Sequence, residues 1–140
     1  MTKAIILRKY CALLFFTCCL LSQINGFAQT KAELKKAKKL FDGYWINKKT
    51  HRHLTISFDV QDYATINDWR GKMTDDNNGV DAYKAFVDND KLVMPEDKTD
   101  LRSPYCEIVR RGKVLLYRCR EMNSNSKRFV DEVIFVREMN

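Results

Sequence analysis

Histidine is nearly absent from this chain: 140 residues contain two, His51 and His53. With the serines mostly in loops and no glycine-rich nucleophile turn, the sequence offers no credible nucleophile–base pair. Acid–base work by paired carboxylates stays open, because the 18 Asp and Glu are unplaced by sequence. The chain is nonetheless read as non-enzymatic and cofactor-free. Long apolar runs are missing too. The longest, "YCALLFFTCCLL" from Tyr10 to Leu21, has 12 residues, whereas a bilayer-spanning helix needs about 20. Repeats, low-complexity tracts and internal domain boundaries are absent, so one domain is expected.

That one apolar run has its own meaning. Lys3, Arg8 and Lys9 precede it, and Gly26 and Ala28 follow at the −3 and −1 positions before Gln29. This is the layout of a secretory signal peptide over residues 1–28, with a single domain over 29–140. An uncleaved anchor is the alternative. A lipid-attachment box is disfavoured by the bulky residues before Cys18 and Cys19. The expected location is secreted or periplasmic, with no transmembrane segment after cleavage.

Charge follows the same division. The full chain is +7, but without the leader 22 basic residues face 18 acidic ones, a balance of +4. Residues 29–39 account for all of it, with five lysines against Glu33. From Leu40 onward 17 basic residues face 17 acidic ones. A nucleic-acid surface needs a basic patch on the fold itself, and a neutral body supplies none.

Thr30 and Glu33 form a capping box ahead of Leu34, Ala37, Leu40 and Phe41 at helical spacing, predicting a helix at about 31–41. After Gly43 the period changes to two. "GYWINKK" opens the series, and "HLTISFDV" puts Leu54, Ile56, Phe58 and Val60 on one face. Strands follow at 63–69, 80–87, 91–96, the two arms of "YCEIVRRGKVLLYRCRE", and 128–138. The fold class is therefore all-β: about eight antiparallel strands in an up-and-down meander, closing into a small barrel behind a short N-terminal helix.

Of five cysteines, Cys11, Cys18 and Cys19 lie in the leader, leaving Cys106 and Cys119. A two-residue turn at Gly112-Lys113 pairs Arg111 with Val114, so facing residue numbers sum to 225. Cys106 and Cys119 meet that condition at a non-hydrogen-bonded pair, the close kind. A cross-strand disulfide is expected, stabilising by about 3 kcal/mol on loop-entropy grounds before strain is subtracted. A redox pair would usually show Cys-x-x-Cys, and a metal site would need two more ligands.

Gly43-Tyr44-Trp45, on the first strand after a short helix, resembles the Gly-x-Trp opening of lipocalins, as in small bacterial lipocalin-like domains of the calycin type. The resemblance implies that Trp45 packs across one barrel end beside a late basic residue, Arg137 or, as second choice, Arg128. It also implies a small hydrophobic ligand inside the barrel. The Thr-Asp-Tyr motif of that family is missing here. Tyr44, Trp69, Tyr83 and Tyr117 are the candidate ligand-binding residues. The competing expectation is a solid interior filled by Leu54, Ile56, Phe58, Ile108, Leu115, Tyr117, Val133 and Phe135.

Lesser constellations complete the reading. His51 and His53 share a strand face and would chelate zinc or copper only with a third ligand from elsewhere, so no metal is assigned. "DDNNGVD" has glycine at the fifth position of a calcium loop that requires it at the sixth. Trp69 is read as packing or as a contact site. The partner is expected to be a small apolar or amphipathic ligand. The alternative is another exported protein, docked or inhibited through loops 73–81 and 96–104.

Overall fold

The computed structural model describes residues 29–59, 62–72, 79–100, 103–122 and 126–138. The expected leader, Val60 and most of the would-be calcium loop lie outside these. Among the described residues one helix, α1 (Lys31–Phe41), precedes eight strands: β1 (Gly43–Asn47), β2 (Arg52–Ser57), β3 (Ala64–Arg70), β4 (Asp81–Asp88), β5 (Lys91–Met94), β6 (Cys106–Arg111), β7 (Val114–Arg120) and β8 (Phe129–Arg137). Each strand pairs antiparallel with the next, and β8 returns to β1, closing the barrel. The meander and its N-terminal helix are thus as the hydrophobic periodicity predicts.

Most strand ends fall within a residue of expectation, but β1 stops at Asn47, two residues before the end of "GYWINKK", and two other strands also stop short. The alternation through Val60 predicted a longer β2, but the strand stops at Ser57, leaving Phe58 partly buried against the core. The strand expected over 91–96 ends at Met94. Pro95 has no N–H to donate to a ladder, which accounts for the stop at Met94.

Period-two side chains fill the barrel from every strand. Trp45, Leu54, Ile56, Ile66, Leu92, Ile108, Leu115 and Phe135 are essentially inaccessible to solvent. Each such aliphatic side chain contributes about 1.5–3 kcal/mol by leaving water. They occupy the half of the barrel nearest α1, where Phe41 and Ala37 join them. The capping box forms at Thr30 and Glu33, starting α1.

The end of α1 explains how that half is sealed. A helix leaves its last carbonyls unpaired, and three consecutive ones here receive side-chain donors. Arg110 Nη1 donates to Leu40 O, Trp45 Nε1 to Phe41 O at 2.8 Å, and Arg137 Nη2 to Asp42 O. Both guanidinium groups also lie over the Trp45 ring, at 5.5 Å for Arg110 and 5.2 Å for Arg137. Gly43 makes room for this. Its φ is +127°, and a Cβ there would sit 2.9 Å from Arg137 Nη2. Gly43→Ala is therefore expected to cost about 1–3 kcal/mol through backbone strain and displacement of Arg137, measurable as a lower urea midpoint.

On β6 and β7 the register pairs Arg111 with Val114 and Cys106 with Cys119, and the two cysteines form a disulfide with Cα atoms 4.1 Å apart. Gly112 takes positive φ, as a type II′ turn requires of its first loop residue. On the outer face beside the disulfide, Glu107 is buried. It accepts from Arg118 Nε at 2.7 Å and Lys91 Nζ at 3.0 Å. Burial alone would push the Glu107 carboxyl up, but hydrogen bonds from Arg118 and Lys91, with their charges, hold it below the usual carboxylate range. A folded-state pKa below the unfolded one stabilises above the unfolded value, and that stability is lost as pH falls through the folded value. Glu107→Gln should accordingly flatten the acid limb of a stability–pH curve while lowering stability at neutral pH by about 1–3 kcal/mol.

Candidate functional site

Strand direction assigns the two barrel ends. The α1 junction and the β2–β3, β4–β5 and β6–β7 connections lie at the sealed end. The β1–β2, β3–β4, β5–β6 and β7–β8 connections surround the other. At this second end the inward period continues on β2 and β3, but with charge: after Ile56 and Leu54 comes Arg52, and after Ala64 and Ile66 comes Asp68. Arg52 Nε lies 2.9 Å from Asp68 Oδ1 and Arg52 Nη2 lies 2.5 Å from Asp68 Oδ2, a two-point salt bridge. The side chains are 20% and 8% exposed, so the pair sits inside the barrel. It forms a polar floor above the apolar plug.

Aromatic rings hold that floor. The Arg52 guanidinium lies 4.8 Å from the Tyr117 ring centre and 5.8 Å from that of Phe135. Burial would lower the Arg52 pKa, but Asp68 outweighs it and the guanidinium is raised further. Burial, reinforced by the Asp68 charge, pushes the Tyr117 phenol far above the ordinary tyrosine value. Tyr83 is raised as well, by burial and then by Asp81 and Asp68. Both phenols therefore remain neutral hydrogen-bonding groups around neutral pH.

Two hollows of about 440 Å³ each open above this floor and share Arg52 and Tyr83. The first is polar, bounded by Asp68, Trp69, Arg70, Lys72, Asp81 and Val80. The second is more apolar, with Phe86, Met94, Pro95, Pro104, Tyr117 and the Cys106–Cys119 disulfide in its wall. The second hollow traces to the early stop of β5. The β4–β5 ladder covers only Phe86–Asp88, whereas Asp81–Ala85 pair with β3. A cleft consequently separates the first half of β4 from the segment following Pro95.

The sequence-derived candidates fall in two places. Tyr83 and Tyr117 bound the mouth. Tyr44 points outward from β1 and meets His53 and Trp69 on the outer face of β1–β3. The three rings lie within 19° of parallel, their centres 5.2–5.9 Å apart. Tyr44 Oη is 2.5 Å from His53 Nδ1. Trp69, buried in this cluster, also reaches the rim of the polar hollow. His51 sits in the β1–β2 turn with positive φ, and His53 is on the strand. Among the described residues, no three His, Cys, Asp or Glu gather as a metal site. Gly43, Trp45 and Arg137 form the sealed end, and Arg128 lies in the connection before β8. Of the proposed docking loops, residues 73–78, Leu101 and Arg102 lie outside the described residues.

Arg52, Asp68 and Arg110 were not singled out from sequence. A signal existed for each, since all three occupy the inward phase of an alternating strand, where a charge requires a partner.

This is a closed eight-stranded antiparallel meander barrel, plugged at one end and hollow at the other, compatible with a lipocalin-like fold. Compared with protein-family models, curated proteins and solved structures, the chain matches none of them. The disulfide is compatible with an exported protein, and among the described residues no helix is long and apolar enough to cross a membrane.

Proposed function

We propose that this chain is an exported, non-enzymatic binding protein whose open barrel end takes one small amphipathic ligand. The observation that carries this reading is the polar floor itself: a buried ion pair beneath two adjoining hollows of about 440 Å³. Ligand sites commonly combine an apolar wall with a few convergent polar groups, in volumes of about 300–1,000 Å³. Here the apolar part of a ligand would lie along Phe86, Met94 and Pro104, with its polar end toward Arg52, Tyr83 and Tyr117. Binding fits this arrangement better than catalysis. Arg52 and Tyr117 are each held in one protonation state, whereas a general acid or base works best with a pKa near the operating pH.

The test is a fluorescence titration with N-phenyl-1-naphthylamine, a neutral apolar probe that brightens on leaving water. Saturable one-site binding is expected, weakened at least about tenfold by Ala82→Trp, which narrows the cleft from an exposed lip position. No saturable binding, or binding indifferent to Ala82→Trp, would contradict the proposal. The alternative, a module that docks on another exported protein, draws on one observation. Val130 and Ile134 on β8 are more than half exposed, and isolated surface apolar residues are also ordinary.

A further inference from the structure

We infer that the mouth selects amphiphiles whose polar head carries no net charge, and that Asp68 is the residue that sets this selectivity. The inference rests on the ligand-binding reading above and adds the chemical class of the head group.

An arginine deep in a binding cavity ordinarily invites a carboxylate or phosphate. Arg52 is not available in that way. Asp68 already occupies its Nε–Nη2 edge through two contacts, at 2.9 and 2.5 Å. Tyr117 and Phe135 lie beside the guanidinium. The cation at the floor is thus matched in charge and packed among rings before any ligand arrives. An anionic head placed there would lose its water while facing Asp68, with no net positive charge in return.

Among the described residues, the remaining charges leave one basic group in excess, and it lies in water at the rim. Arg70, Lys72 and Lys84 border the hollows, but all three are exposed. Opposing them at the rim are Asp81 and Asp97. Charges in water are screened within about 10 Å at ordinary ionic strength, whereas the buried pair is not. A cationic head gains no more than an anionic one, because Asp68 is spoken for by Arg52 and Asp81 shares its hollow with Arg70 and Lys72. The floor does offer neutral hydrogen-bonding groups: the Tyr117 phenol, whose hydroxyl donates to the Met94 sulfur at a long 3.9 Å, and the Tyr83 phenol, which hydrogen-bonds the exposed Asp81 and can exchange that partner for a ligand oxygen. A hydroxyl, carbonyl or amide head can use these without bringing a charge into the barrel.

A matched probe pair tests this. N-Phenyl-1-naphthylamine and 1-anilinonaphthalene-8-sulfonate share one apolar body and differ by a sulfonate. The wild-type protein should bind the neutral probe at least about tenfold more tightly than the sulfonate. Asp68→Asn keeps a side-chain oxygen for Arg52 but frees its charge, and should move that ratio at least about tenfold toward the sulfonate. Arg52→Met/Asp68→Leu, which removes both charges, should retain the neutral preference and gives a second readout if Asp68→Asn folds poorly. Equal or tighter sulfonate binding by the wild type would overturn the inference. So would an unchanged ratio in Asp68→Asn, or a lost neutral preference in the double variant. Failure of the wild type to bind either probe would instead remove the ligand-binding reading on which the inference stands.

Discussion

Trp45→Ala is expected to lower stability by about 3–5 kcal/mol. The ring is completely buried and lies under two guanidinium groups. Its Nε1–H also satisfies Phe41 O. Truncation would open a cavity, orphan one carbonyl at the end of α1, and leave Arg110 and Arg137 without the surface they pack on. A domain of this size has a net stability of about 5–15 kcal/mol, so the variant should unfold well below the wild-type temperature. Trp45→Phe keeps most of the volume and loses the hydrogen bond, and should cost about 1–2 kcal/mol. Calorimetry of the two variants separates packing from the hydrogen bond. A loss below about 1 kcal/mol for the alanine variant would show that Trp45 does not seal the barrel.

The second large effect belongs to the floor of the mouth. Asp68→Leu leaves Arg52 charged, mostly buried and unpaired, and is expected to cost about 3–5 kcal/mol. Arg52→Met/Asp68→Leu should recover nearly all of that, ending within about 1 kcal/mol of wild type or above it, because a buried ion pair is often replaceable by apolar groups of similar volume. Such recovery would mean that the barrel does not need the pair for stability, as expected of groups that serve the cavity. A double variant as unstable as the single one would make the pair a structural element. Denaturant unfolding of the three proteins decides between these outcomes.

Much of the fold was legible in the sequence because its physics is local. The alternation of Leu54 and Ile56, the Thr30–Glu33 capping box and the Arg-Gly-Lys turn each constrain their neighbours directly. The turn fixed the pairing of Cys106 with Cys119 through register alone. The binding end was harder to read because it depends on where strands stop and which ones meet. Pro95 was visible, but the cleft it leaves beside Asp81–Ala85 depends on a ladder between two other segments. Arg52 and Asp68 are 16 residues apart, and only the β2–β3 register brings them together. Tyr44 shows a further limit: its place in the Gly-x-Trp motif is legible, but its side chain falls in the outward phase, beside His53.

The most direct test of the account is methyl NMR of the folded protein titrated with N-phenyl-1-naphthylamine. The Met94 ε-methyl and the Ala82 methyl report on the mouth and its β4 wall, the Val130 and Ile134 methyls on the outer face of β8, and Leu54 and Ile56 on the sealed half. Saturable shifts are expected at Met94 and Ala82, with Val130, Ile134, Leu54 and Ile56 unmoved. Shifts confined to Val130 and Ile134, or none at Met94 up to the solubility of the probe, would contradict it.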